Sequence, residues 1–265
     1  MIPAAVEWTT WPGLRGDSSF RVEGQGQILL GQVGAKRFRL ASEIRYQGTT
    51  GLESEVRAGN ITQPTLDMAK RVDGTSLPNT DLASVPASLR WFVGRYGVHT
   101  PAALIHDRLI GDNGAPLDQI TDAGADRYFR FMLRDLGIPW LRRWLMWAAV
   151  ALGTRFRRGG VPQALLLLWV LASTAGIALF VLALVLGEWW LVVISALIPI
   201  PAAVFWGAQW RAGILGAYLA PVILPPTLLG ALGHAGYVVL ESLVWLVGKL
   251  RLDEAPPPPV RYDKY

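Results

Sequence analysis

The sequence predicts an α+β soluble domain at the N-terminal end, followed by an α-helical transmembrane region. Only 17% of the 265 residues are charged, against about 25% in an ordinary soluble domain. Strand-like and helix-like patterns lie before residue 138, and long uncharged runs lie after residue 158. We divide the chain into a soluble domain, a basic interfacial helix, a transmembrane region and a proline-rich tail, at residues 1–137, 138–158, 159–250 and 251–265.

The first segment contains strand signals followed by helix signals. Residues 20–33 and 36–48 alternate apolar and polar side chains between glycines, which predicts short antiparallel strands. Residues 60–80 are polar and predict irregular structure. Thr100 and Pro101 predict the start of a helix, because proline is favoured in a first turn. Residues 122–136 repeat apolar side chains at helical spacing and predict an amphipathic helix.

The second segment carries the whole net charge of +5. It holds five arginines and no acidic residue, whereas the chain on either side of it is balanced. Trp140, Trp144 and Trp147 alternate with the arginines, directly before an apolar run. Tryptophan and arginine in this position are typical of a helix at the surface of an anionic lipid bilayer. We therefore predict lipid headgroups as partners, and no nucleic acid.

The third segment is long enough for two to four membrane spans. Residues 161–187 contain no charge over 27 positions, and a span needs about 20. Residues 191–210 form a second uncharged run, interrupted by Pro199 and Pro201, and predict the return arm of a hairpin. Residues 212–248 predict either a second hairpin or a re-entrant segment with one helix. We favour four spans over two.

The distribution of basic residues predicts the orientation. Arginine and lysine concentrate on the cytoplasmic side of membrane proteins. The 138–158 segment, Arg211 and the Lys249–Arg251 end should therefore share that side. This predicts a multi-pass protein of the inner (cytoplasmic) membrane, with the soluble domain and the proline-rich tail in the cytoplasm.

One group of residues in the soluble domain could perform chemistry. His106 and Asp126 lie on the inner faces of their predicted helices, so Asp126 could orient His106 as a general base. Asp107 is turned about 100° from His106 and could share a hard cation with Asp81. Carboxylates suit calcium or magnesium. In the structural alternative, His106 and Asp126 form a buried pair, Asp81 caps a helix and Asp107 is solvated.

The motifs that carry these residues resemble a known family. The stretches TDLASVP, AALIHD and ADRYFRFML are similar to an uncharacterised family found in tailed phages, prophages and actinobacteria, the domain of unknown function numbered 1353. The resemblance covers roughly residues 36–137. TSLPN at residues 75–79 departs from the family pattern, and so does the absence of an aromatic residue after His106–Asp107. The resemblance implies a fold and no assigned activity.

A more distant resemblance concerns the bacterial secreted phospholipase A2 group. The matching positions are Asp81, Ser84, His106, Asp107, Asp126 and Phe129. The resemblance implies that His106 activates water, that Asp126 orients His106, and that Asp107 binds calcium with the Asp81 loop. The disulfides of that group are absent here, since the chain has no cysteine.

Two functions follow from these observations. The first is a non-catalytic membrane subunit, whose soluble domain and tail dock onto membrane protein partners in a larger membrane or phage-related complex. The alternative is a membrane-anchored, metal-dependent hydrolase that acts on lipid or ester substrates through the His106–Asp126 site.

Overall fold

A computed structural model describes residues 8–10, 20–23, 27–33, 38–48, 52–77, 80, 97–110 and 121–251. Among them, the α/β part and the helices as far as Tyr218 form one compact unit, and the helix from Leu219 onward belongs to a second. The predicted class is confirmed in its coarse form, since the N-terminal part is mixed α/β and the C-terminal part is mostly helical. Asp81, Ser84 and the proline-rich tail lie outside the described residues.

The strands form two antiparallel arrangements. Strands β3 (Leu30–Gln32) and β4 (Phe38–Leu40) pair with each other. The other four form a sheet in the order β1-β2-β5-β6, with bounds Trp8–Thr10, Phe20–Glu23, Ile44–Tyr46 and Arg71–Val72. In β2 the side chains alternate between buried and exposed, so one face of the sheet covers the core.

Two short helices follow β5, where the sequence predicted irregular structure for residues 60–80. They are α1 (Leu52–Arg57) and α2 (Gln63–Ala69). Pro64 lies in the first turn of α2, where its missing N–H has no intrahelical partner to lose. The prediction of irregular structure was therefore wrong for α2, because it treated this proline as a breaker.

The two helices predicted for the end of the soluble domain are present. They are α3 (Thr100–Ile110) and α4 (Asp122–Asp135). The hydroxyl of Thr121 caps α4 by accepting from the N–H of Gly124 at 3.1 Å. The sheet packs on α4 through Tyr46, whose hydroxyl donates to Asp135 at 2.5 Å. Burial, together with the Asp135 carboxylate, raises the pKa of Tyr46.

The basic segment forms one helix, α5 (Trp140–Arg158). One face of α5 packs inward, and Trp147 on that face is only 2% exposed. Trp147 is therefore a core residue, and its predicted place among lipid headgroups was wrong. Trp140 remains 61% exposed, as a headgroup anchor would be.

The apolar region begins with a long helix and continues in shorter pieces. Helix α6 (Gly160–Leu186) covers the first predicted span. The predicted return arm is not one helix, because Pro199 and Pro201 interrupt it. It consists of α7 (Trp189–Leu197), α8 (Pro199–Ala202) and a 3₁₀ segment (Ala203–Gln209).

The return arm nevertheless runs back along α6. A Cβ added to Gly176 of α6 would lie 3.2 Å from the side chain of Ile198, so α6 and the return arm are in contact there. Further along, the rings of Trp169 and Trp206 meet edge to face at 5.1 Å. The 3₁₀ segment then turns at Gly207, whose φ of 52° is a left-handed conformation that favours glycine.

The last described element is α9 (Trp210–Arg251), which carries three internal prolines and no reversal. A second hairpin is therefore not observed. Two helical segments are long and apolar enough to cross a membrane, Gly160–Leu186 and Trp189–Lys249. In the apolar 18-residue window of each segment, 22% and 28% of the residues are buried, so most of these side chains are exposed. The favoured count of four spans is not supported.

We expect Gly213→Ala to destabilise the first unit. A Cβ at Gly213 would lie 2.8 Å from two ring atoms of the buried Trp206, and overpacking of this kind costs about 1–3 kcal/mol. Gly230→Ala is the matched control in the same helix, because no described atom lies within 4 Å of its Cβ position. Thermal unfolding in detergent should show a lower midpoint for Gly213→Ala alone, and equal midpoints would contradict the packing.

Candidate functional site

Helix α4 places Asp126 in the interior of the first unit. Asp126 is fully buried, and so are Phe129 and Leu133 on the same helix face. A buried carboxylate is costly unless donors surround it. The position of Asp126 therefore requires partners from neighbouring elements.

Three side chains from three other segments donate hydrogen bonds to Asp126. His106 Nε2 of α3 lies 2.9 Å from Oδ1. Thr154 Oγ1 of α5 lies 3.1 Å from the same oxygen, and its one proton is shared with the backbone carbonyl of Val150 at 3.0 Å. Gln209 Nε2 of the 3₁₀ segment lies 2.9 Å from Oδ2. Both carboxylate oxygens are thus engaged, and we call these four residues the Asp126 network.

Two contacts define how the imidazole of His106 is placed. Nε2 of His106 faces the carboxylate, so the tautomer with its proton on Nε2 is the one that would donate to Asp126. His106 is 3% exposed and its ring packs against Phe129 with centroids 5.1 Å apart. The imidazole is therefore held by a hydrogen bond and by an aromatic contact in the interior.

Arg155 extends the network to the return arm. Its Nε donates to Gln209 Oε1 at 3.1 Å, which leaves Gln209 Nε2 to face Asp126. Its terminal nitrogens donate to the backbone carbonyls of Phe205 and Trp206. Arg155 therefore satisfies carbonyls of the irregular 3₁₀ segment.

The structure brings together some of the predicted site residues and leaves others apart. His106 and Asp126 meet as predicted, at a distance that suits either an orienting pair or a structural one. Asp107 accepts from Thr80 Oγ1 at 2.6 Å. Asp81 and Ser84 lie outside the described residues, so the predicted calcium or magnesium site stays a prediction. Among the residues that the structure describes, no cluster of three or more His, Asp or Glu could hold a metal ion.

Sequence reasoning missed Thr154, Arg155 and Gln209. Each lies in a segment that was assigned to the membrane or its surface, and Gln209 is 83 residues from Asp126. One signal was available: Gln209 is an amide at the end of an uncharged run, and polar side chains in such runs usually have a specific partner.

Comparison with known proteins finds one match. Residues 67–150 match the family model described as "Protein of unknown function (DUF1353)". The match begins later than the resemblance indicated and continues into α5, so it includes His106 and Asp126 but not Thr154 or Gln209. No curated protein and no solved structure matches the chain.

We expect Asp126→Asn to destabilise the first unit. An amide in place of the carboxylate would present N–H to one of three donors, and a buried donor without a partner costs about 1–3 kcal/mol. Asp67→Asn is the control, because Asp67 pairs with Lys70 on the surface, with both side chains more than half exposed. Denaturant unfolding in detergent should give a lower midpoint for Asp126→Asn than for Asp67→Asn. Equal midpoints would show that the network does not stabilise the first unit.

Proposed function

We propose that this chain, which carries a DUF1353 domain over residues 67–150, is an integral membrane protein that acts as a non-catalytic subunit of a larger membrane or phage-related assembly. The observation that carries this proposal is the Asp126 network. It joins α3 and α4 of the α/β part to α5 and to the return arm of the apolar hairpin. A domain held in this way is suited to present a fixed surface to a partner.

The hydrogen-bond partners of Asp126 and the burial of His106 favour a structural role over a catalytic one. Besides His106, Asp126 lies within hydrogen-bond distance of Thr154 and Gln209, which belong to α5 and the return arm, so the carboxylate links packed segments. His106 is also almost fully buried. A substrate would have to displace packed side chains to reach it.

Exposed apolar side chains support insertion in a bilayer. Leu171 and Val185 of α6 are 66% and 78% exposed. Helix α5 also exposes apolar residues on one face, at Leu141, Leu152 and Phe156. Arg142 and Arg157, which lie near the two ends of α5, are exposed as well. This pattern favours a helix that lies along the membrane surface.

We extend the proposal to location and orientation. The excess of arginine in residues 138–158 favours a multi-pass protein of the inner membrane with its α/β domain in the cytoplasm. Arg211 and the Lys249–Arg251 end favour the same side, which requires an even number of crossings.

The second candidate function is a membrane-anchored hydrolase for lipids or esters. The distance of 2.9 Å between His106 and Asp126 favours it, because this is the separation of a general base from its orienting group. In this proposal, Asp107 and Asp81 would hold calcium or magnesium.

Membrane insertion and orientation are tested on the full chain. We expect the protein to stay in the membrane pellet after alkaline carbonate extraction, because burial of the apolar helices does not depend on charge. Reporters fused before Met1 and after Tyr265 should both read cytoplasmic. Release by carbonate would contradict insertion, and an external reading for either end would contradict the orientation.

The two functions are separated by activity and stability measurements on His106→Ala. For the subunit, we expect no ester hydrolysis above background by the purified parent protein with calcium or magnesium present. His106→Ala should lower the unfolding midpoint, since it removes a donor from buried Asp126. A hydrolytic rate that disappears in a folded His106→Ala protein would instead establish the hydrolase.

A further inference from the structure

A cleft of about 280 Å³ lies on the first unit, and its lining does not include the four residues of the Asp126 network. Four segments line it: the end of α1 and the turn after it, α4, α5, and the junction of the 3₁₀ segment with α9. The lining includes three arginines and two tryptophans, at Arg127, Arg130, Arg211, Trp147 and Trp210. Glu55 is its acidic residue.

The positive charge of the cleft exceeds what Glu55 balances. Glu55 accepts from Arg127 Nη1 at 3.0 Å and from Asn60 Nδ2 at 2.8 Å. Within the described residues, Arg130 and Arg211 have no carboxylate partner. Arg130 is instead held over the rings of Trp144 and Trp147, at 4.1 and 4.9 Å from their centroids.

The environment of Arg130 is unfavourable for an uncompensated cation. Burial, and then the positive charge of Arg127, lower the pKa of Arg130 to about 10, against the opposing influence of Glu55. An anion in the cleft would remove this repulsion. Guanidinium groups bind phosphate oxygens through pairs of N–H donors, which suits two arginines that face one opening.

One tryptophan of the cleft wall has an indole N–H that is unsatisfied within the described residues. Trp147 is 2% exposed, and its indole N–H has no hydrogen-bond partner in the part of the chain that the structure describes. Buried indole N–H groups usually have a partner.

We propose that this cleft binds the phosphate group of an anionic lipid headgroup. The lipid source follows from the position of the cleft at the start of α9, where Trp210 is 47% exposed and the chain beyond Arg211 is apolar. Tryptophan at such a place is typical of the headgroup layer. The inference deepens the proposed function and rests on membrane insertion, which the carbonate extraction tests separately.

The test is a lipid titration of the full-length protein in detergent micelles. Phosphatidylglycerol is the anionic probe, phosphatidylcholine the zwitterionic one and inorganic phosphate the soluble one. Apparent dissociation constants are measured for the parent protein, Arg130→Lys, Arg211→Gln and Arg157→Gln. Arg157 is the matched control, since it is an exposed arginine of the basic segment that does not line the cleft.

We expect saturable binding of phosphatidylglycerol that weakens about tenfold in Arg211→Gln, which is the scale of one hydrogen bond to a charged group. Arg130→Lys should weaken it similarly, because lysine lacks the planar fork. Arg157→Gln should change it less than about twofold, as expected for a screened surface charge. Arg211 is exposed, so its replacement tests the cleft even if Arg130→Lys does not fold.

Two results would overturn the proposal. Equal losses in Arg157→Gln and Arg211→Gln would show diffuse surface attraction in place of a site. Binding of inorganic phosphate with the same dependence on Arg211, and without binding of phosphatidylglycerol, would show that the cleft takes a soluble anion. In either case, retention of the protein after carbonate extraction would leave the proposed membrane function in place.

Discussion

The burial of one carboxylate constrains how the first unit is assembled. Asp126 is fully buried, and an unpaired charge in that position would cost more than most side-chain contacts could offset. Its three donors come from α3, α5 and the 3₁₀ segment, at separations of 20 to 83 residues along the chain. Each of these segments must therefore be in place for the carboxylate to be satisfied, and the network makes their positions interdependent.

This constraint joins two parts of the chain that differ in composition. The return arm is apolar, is interrupted by prolines and ends in a 3₁₀ segment. Arg155 donates to two of them and also to Gln209, which in turn donates to Asp126. The arginines of the basic segment thus have different roles: Arg155 stabilises the interior, whereas Arg142 and Arg157 lie at the surface.

Helix α4 contributes residues to both the network and the cleft. Asp126 lies on the inward face with Phe129 and Leu133. Arg127 and Arg130 are three residues apart, so helical geometry puts them on one face, which lines the cleft. Arg130 is also one turn from Asp126, so the network and the cleft are neighbours along this helix.

Several features could be predicted from the sequence because they depend on local patterns. Helical periodicity and a first-turn proline located α3 and α4, and the same periodicity predicted that His106 and Asp126 face inward. The uncharged run located α6.

The tertiary structure alone decided the rest. Thr154 and Gln209 complete the Asp126 network across long sequence separations that no local pattern encodes, and Trp147 is buried because α5 packs on α4 and α6. The return arm and α9 differ from the predicted spans for the same reason: hydropathy measures the cost of leaving a segment in water, whereas the course of the backbone depends on which neighbours satisfy its polar groups.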